Sequence, residues 1–479
     1  MNRSTEKLII GPRIRRLRQS LGLTQTKMAQ DLEISASYLN LIERNQRAVS
    51  AKVLLKIAET YELDMSELAG QSDQHLVGEL FEAVRDPLFR DMPVSKSEAE
   101  DLVSASPNAA RVMLKLYRRH RDLAKQASTL TSDSSGAGQA EQPTEAVEAV
   151  RQFLQRERNF FPELDAAAED LSEELNLKNN PTFATLTDRL KEHHFTRVRV
   201  LSIREMPKML RYHDRHDRRI DLSELLRASG RMFQLAFQIG MLEQRELIDR
   251  LVSSARLADR NAQWLCRTSL ANYFAAALLM PYGRFLAEAK QTRYDVELLS
   301  HRFGTSFEQT AHRLTTLQKP DARGVPFFFI RIDIAGNVTK RFSTGKFQFS
   351  QFGGTCPLWN IHEAFLTPGR IVKQVIQMPD DTSYLSIAKM VSRTDGTYNN
   401  PEQKFSVALG CDIAHADQLT YGDGYNFDVL KPTPVGVNCY LCDRANCLQR
   451  AHAPLNKSLN FDERARSMSL FRFNDDSDA

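Results

Sequence analysis

The chain has no long apolar run. Across its 479 residues no hydrophobic stretch approaches the roughly 18 needed to cross a bilayer, and the opening MNRSTEKL lacks the apolar core of a secretory leader. A cytoplasmic location is expected. Cysteine is scarce at six residues, which in that compartment argues against a disulfide scaffold and for metal ligands or buried thiols. Net charge is nearly absent after the first fifty residues: that segment holds nine Lys or Arg against four Asp or Glu, while the whole chain carries only +4. No internal repeat is evident, so a solenoid is excluded. What remains is a 42% hydrophobic chain, ample for packed cores, whose length suggests about three domains.

Residues 9–70 concentrate the basic charge and carry short helical patterns separated by polar breaks. Leu23 and Thr24 lead into a helix with Met28, Ala29 and Leu32 at helical spacing. Ser35 is an N-cap for the next, whose inward face is Tyr38, Leu39 and Ile42. Two helices so closely joined form a helix-turn-helix, with the second helix in the DNA major groove. Its polar opening (Ser35, Ser37, Asn40) then faces base edges, Gln25 is placed to hold a phosphate, and Arg44 reaches the backbone. With Tyr38, these six residues are the expected operator contacts. The segment resembles the Xre/Cro family, whose heads commonly bind paired half-sites, so a homodimer or higher homo-oligomer is expected.

Residues 71–125 read as a helical connector, with Val103, Val112, Leu114 and Leu116 among Arg and Lys. Residues 126–145, rich in Ser, Thr, Gly and Gln, read as a flexible linker too polar to offset its ordering entropy.

The middle segment, 146–318, mixes helical patterns with strand-like runs at 195–200, 209–214 and 218–222. Two long helical runs follow, 223–252 and 265–290. Phe233 to Met241 and Asn272 to Pro281 resemble the ImmA/IrrE-type metallopeptidase domain. That family carries H-E-x-x-H on the first helix, two imidazoles binding zinc and a Glu activating water. Here Phe237, Gln238 and Met241 stand at those three positions, and Arg267 to Asn272 contains no acidic residue for the later ligand. An aromatic ring and a thioether cannot replace imidazoles at zinc, so no catalytic residue is assigned and no enzyme activity is expected.

In residues 319–479, GVPFFFIRIDIAGNVTKRF alternates about an Ala-Gly-Asn turn and reads as a β-hairpin. FQFSQF reads as a strand ahead of a Gly-Gly break, and further strands are expected at 383–390 and 405–409. Cys439, Cys442 and Cys447, spaced C-x2-C-x4-C, can converge on one metal. A fourth thiol could come from Cys411 or, alternatively, Cys356, each close behind a glycine. An iron–sulfur cluster or a zinc ion would accept four such ligands, and buried free thiols are the third reading. Cys266, beside Trp264 and Leu265, is expected in the core. The expected architecture is thus multidomain: an all-α head, a peptidase-like α+β middle and an α+β end.

Taken in order, the Cro-like head, the peptidase-like middle without zinc ligands and the GVNCYLCDRANCLQRA segment resemble one family of bacterial transcriptional regulators of short-chain acyl-CoA metabolism. The resemblance implies operator DNA as partner, an acyl-CoA effector (propionyl-CoA foremost) and a [4Fe–4S] cluster. For the effector, Phe327, Phe329 and Arg331 share one face of the hairpin strand, with Lys340 and Arg341 on the return strand. Two other readings stay open: a regulator-peptidase cleaving a partner repressor, and a stress or antitoxin-type repressor with structural zinc and no acyl-CoA effector.

Overall fold

The structure is a computed structural model. It describes residues 11–44, 46–47, 49–61, 74–89, 92, 94–130, 143–178, 182–345, 347, 349, 354–393, 402–427, 429–445, 447–454, 459, 468, 471 and 473. The chain divides into two compact units, 1–137 with 454–458 and 138–453 with 459–479.

The first unit opens with α1 (Gly11–Ser20), α2 (Gln25–Asp31), α3 (Ala36–Glu43) and α4 (Ala51–Thr60). Thr24, Ser35 and Ser50 cap the last three, their hydroxyls accepting from the amides of Lys27, Tyr38 and Val53 at 3.2, 3.1 and 3.4 Å. Ile14, Met28, Leu32, Leu39, Ile42 and Ile57 form the core between these helices. The connector follows as α5 (Gln74–Val84), α6 (Lys96–Ala105) and α7 (Pro107–Leu130). Pro107 starts a new helix and resets its phase, so Ala110, Leu114 and Tyr117 are buried, whereas Val112 and Leu116 of the expected stripe are exposed. The linker is shorter than its composition suggests. α7 runs to Leu130 and the next helix begins at Pro143, leaving 131–142, which lie outside the described residues.

The second unit begins with α8 (Pro143–Arg156), α9 (Pro162–Glu174) and α10 (Phe183–His194). The three expected strands form β1 (Arg197–Leu201), β2 (Arg211–Asp214) and β3 (Arg219–Ser223), in the order β1-β3-β2 with β2 antiparallel to β3. The two long helical runs are each broken, into α11 (Ala228–Glu243) and α12 (Arg245–Ser254), and α13 (Arg260–Leu279) and α14 (Tyr282–Gln291). Pro281 explains the second break, since it has no amide for the ladder. α11 lies so close to α13 that a Cβ at Gly240 would meet the Phe274 ring at 2.6 Å. Cys266 is fully buried in this core.

Helices α15 (Val296–Phe303) and α16 (Phe307–Leu314) lead into the second sheet. Its strands are β4 (Phe327–Asp333), β5 (Val338–Ser343), β6 (Ile371–Gln377), β7 (Ser383–Arg393), β8 (Gln403–Asp412) and β9 (Thr433–Pro434), in the order β5-β4-β8-β7-β6-β9. The hairpin turns where the Asp333 carboxylate accepts from the amides of Ala335 and Asn337, with Gly336 at φ +82. Alternation divides β4 between two cores: Phe327 and Phe329 face the helices, while Phe328, Ile330 and Ile332 face α17 (Asn360–Glu363) and its flanking loops. The strand expected at FQFSQF is absent among its described residues. Phe347 instead stacks on Phe328 with ring centroids 3.9 Å apart.

One buried ion pair joins the helical layers. Arg313 on α16 is inaccessible, and its Nη2 donates to Asp165 on α9 at 2.5 Å. Tyr273 on α13 donates to the other oxygen of Asp165. Arg313 also donates to the Met280 carbonyl at 3.1 Å and the Thr316 hydroxyl at 2.9 Å. Arg313→Ala leaves Asp165 buried and unpaired, so it should destabilise the fold by about 3–5 kcal/mol. Urea denaturation followed by circular dichroism measures this, and a loss below about 1 kcal/mol would match an exposed pair instead.

Candidate functional site

Four places carry chemistry. In the head, α3 exposes Ser35, Ser37 and Arg44, with Asn40 and Tyr38 half-buried. Arg47 lies over the Tyr38 ring at 5.1 Å. Two of the expected contacts are already engaged within the head. The Ser35 hydroxyl caps α3, and Gln25 Nε2 donates to Glu43 at 2.7 Å rather than pointing outward to a phosphate. Arg18 closes the same carboxylate through Nε at 2.6 Å and Nη2 at 3.2 Å. Glu43 is buried, so this three-residue knot locks α1, α2 and α3 together. Sequence reading missed Arg18 and Glu43; the available signal was an acid one turn beyond Leu39, on the inward side of α3. Glu43→Ala should cost about 1.5–3 kcal/mol, the range for hydrogen bonds to charged groups. It should appear as faster amide exchange across α1 to α3, and unchanged exchange there would show that the knot contributes nothing.

In the middle region, Phe237 and Gln238 are buried on α11, and Met241 packs against the same core. Gln238 Nε2 lies 3.0 Å from Nδ1 of His213 on β2, and the Arg211 guanidinium sits 4.0 Å over the Phe237 ring. Burial pushes Arg211 down to about 10, with no carboxylate to offset it. Burial, then the neighbouring arginines, holds His213 below its ordinary value. The ring, amide and thioether of Phe237, Gln238 and Met241 cannot replace two zinc-binding imidazoles, and the amide cannot take a proton from water.

At the C-terminal end the thiols separate. Cys411 lies within β8, paired across to Phe327 and Leu385 in the helix-facing core, and burial pushes its thiol far up. It is therefore neither at a turn nor near the other thiols, because strand alternation fixes it on the wrong face of the sheet. Cys356 lies on the opposite face and is an electrostatic neighbour of Cys439 and Cys442. Gly436 makes room there, since a Cβ would meet Cys442 Sγ at 2.8 Å. Arg450 organises the loop by donating to the carbonyls of Cys439, Cys442 and Arg444 at 2.8, 2.9 and 2.8 Å. The Ala451 amide lies 3.5 Å from Cys439 Sγ, and Cys447 is half-buried in the same loop. Three thiols on a glycine-relieved loop, with Cys356 from an earlier segment, fit the donor chemistry of an iron–sulfur cluster or zinc. Among the described residues, however, no three His, Cys, Asp or Glu side chains converge to ligand distance. A small, partly open apolar pocket adjoins this loop, lined by Ile330, Val338, Phe347, Phe349, Trp359 and Gly436 among others.

The expected effector residues are divided. Phe327 and Phe329 are fully buried, so neither offers a surface for adenine. Arg331 pairs across to Lys340 on the helix-facing side, while Arg341 sits opposite Ile330 on the other face. Arg331 binds Glu308 at 2.7 Å and Arg393 binds the same carboxylate at 3.1 Å. Both guanidinium groups lie over Phe405, at 4.7 and 5.7 Å. Lys340 stands 5.4 Å over the Phe329 ring, and burial, partly countered by Glu308, pushes it down to about 8. Three cations thus share one carboxylate. Arg393, Glu308 and Phe405 come from distant segments, beyond the reach of a hairpin-based reading.

A capped helix-turn-helix on a peptidase-like body that lacks zinc ligands defines a DNA-binding transcriptional regulator. Residues 14–68 match a helix-turn-helix model, 191–315 an IrrE N-terminal-like domain and 316–471 the short-chain fatty acyl coenzyme A regulator, C-terminal. The HTH-type transcriptional regulator RamB of Mycobacterium tuberculosis is 39% identical over 97% of this chain and 98% of its own. The propionyl-CoA carboxylase regulator of Cereibacter sphaeroides is 39% identical over the same shares, and PrpR of M. tuberculosis is 36% identical over 97% and 96%. A solved M. tuberculosis transcriptional regulator, 38% identical, superposes with a TM-score of 0.65 over 68% of this chain and 99% of that one. The chain belongs to the short-chain fatty acyl coenzyme A regulator family. Those relatives are named as regulators, not as peptidases. No helix among the described residues is long and apolar enough to cross a membrane.

Proposed function

We propose that the protein is a cytoplasmic, sequence-specific regulator of propionyl-CoA metabolism that binds paired operator half-sites as a homodimer or higher homo-oligomer and responds to an acyl-CoA effector. The match of residues 316–471 to the acyl coenzyme A regulator model, behind a helix-turn-helix head, carries this reading. Ser37, Tyr38, Asn40 and Arg44 are the proposed base and backbone contacts, joined by Ser35 and Gln25 through the donors that their present bonds leave free. A [4Fe–4S] cluster, or zinc in its place, would be held by Cys439, Cys442 and Cys447 with Cys356, not Cys411, as the fourth ligand. The effector's phosphates would lie at Arg331, Lys340 and Arg393, with Phe405 supplying the aromatic surface once expected of Phe327 and Phe329. Arg341 lies across the sheet from them. The effector switches the regulator only if it binds two conformations with different affinity.

The deciding experiment is anaerobic purification with iron, zinc and sulfide analysis, and calorimetric titration of propionyl-CoA on the same sample. About four iron and four sulfide per chain with saturable ligand heat are expected; zinc alone and no heat would support the stress-type repressor instead. Lys340 donates to phosphate only as the ammonium, so propionyl-CoA affinity should fall as pH rises through about 8. Glu308 and His312 from α16, Arg331 from β4 and Arg393 from β7 face it, and burial first, then Lys340, Arg313 and Arg331, keeps His312 neutral across that window. Lys340→Met should flatten the profile, and an unaltered profile would remove Lys340 from the site. For the head, Asn40→Ala should relax preference at one operator position and cost about 1–3 kcal/mol. Retained specificity in a binding selection would place Asn40 off the bases.

A further inference from the structure

Where the metallopeptidase centre would stand, the chain carries a cation without a counter-ion. Arg211 lies on β2, the outer strand of the first sheet, with its guanidinium against Phe237, the residue standing where the first zinc-binding imidazole would be. No hydrogen-bond acceptor meets Nη1 in its buried position, and no Asp or Glu pairs with the guanidinium among the described residues. This is unusual within the same sheet. Arg199 and Arg219, on its other face, both pair with Asp221 at 2.9 and 3.3 Å. The strand therefore has acids available on one face and none on the other.

The groups beside Arg211 add donors rather than negative charge. Gln238 gives its amide hydrogen to Nδ1 of His213, which leaves the imidazole proton on Nε2 as a further donor. Met209 and Leu210, just ahead of the strand, are exposed, while Tyr212 lies on the opposite face with Asp221. A buried, unpaired guanidinium is costly to a fold unless something supplies the missing acceptor. A bidentate oxyanion matches its geometry.

We propose that this face of β2, packed where the related peptidases hold a metal, binds a small oxyanion (a phosphoryl or carboxylate group) between Arg211 and the His213–Gln238 pair. The site is separate from the Arg331–Lys340–Arg393 cluster and does not depend on the effector assignment made there. A guanidinium stands where the metal cation would be, which keeps a positive centre for anion recognition but cannot activate water.

The test uses the full-length protein with inorganic phosphate, pyrophosphate and coenzyme A as probes, in calorimetry and thermal denaturation. Saturable pyrophosphate binding that weakens about tenfold or more in Arg211→Met is expected, the factor corresponding to one charge-assisted contact. Coenzyme A affinity falling in parallel would identify the anion as a phosphoryl group of the effector. Unchanged coenzyme A affinity would identify a free-anion site and leave the regulator reading intact. Absence of phosphate and pyrophosphate binding by the wild type, or equal binding by Arg211→Met, overturns the proposal. Should that variant not fold, hydrogen exchange on the wild type decides: pyrophosphate must protect the amides of β2 and of α11 around Phe237, and protection confined elsewhere overturns it.

Discussion

The buried pair between Arg313 and Asp165 is the constraint on which the second unit depends. A fully desolvated guanidinium tolerates no vacancy among its acceptors, so Asp165, the Met280 carbonyl and the Thr316 hydroxyl must all stand in place together. Met280 ends α13, just before Pro281, where the helix has carbonyls without intrahelical partners; Arg313 satisfies one of them. The same side chain thereby sets where α9, α13 and α16 meet. Because α16 leads through residues 315–326 into β4, it also helps set where the second sheet begins.

That sheet separates two kinds of chemistry by alternation alone. On the helix-facing side, Arg331, Lys340 and Arg393 crowd one carboxylate above Phe329 and Phe405. On the other side, aromatic rings, Cys356 and the Arg450-organised loop surround a small apolar pocket. A one-residue slip in β4 would exchange these environments and place Arg331 among the rings, which is why the register matters more here than the identity of any single residue.

The body illustrates how a catalytic scaffold outlives its reaction. The helix that would present two imidazoles and a carboxylate keeps its close packing on α13 through Gly240, yet presents a ring, an amide and a thioether. Gly240 shares a face of α11 with Phe237 and Met241, so the close packing on α13 stands beside side chains that lack the chemistry. The head shows the opposite economy: Glu43 is polar, buried and retained solely to tie Arg18 and Gln25 into one recognition unit.

Much of the organisation was legible from local pattern. The capped short helices of the head, the three strands near 197–223, the hairpin at 327–343 and the missing zinc ligands all depend on neighbouring residues, spacing and residue chemistry. The finer site was not legible, because Arg18 with Glu43, Arg393 with Glu308 and Cys356 with Cys442 are joined across long stretches of chain. Cys411 and Cys356 looked equivalent, each behind a glycine, until the sheet put them on opposite faces. Phe327 and Phe329 looked available to a ligand until α15 and α16 covered them. By itself the sequence determined which elements form and which chemistry is excluded, since capping, alternation and ligand identity are local properties. Only the tertiary structure decided which distant charges pair and on which face of the sheet each buried thiol lies, because that follows from packing and register between elements remote in the chain.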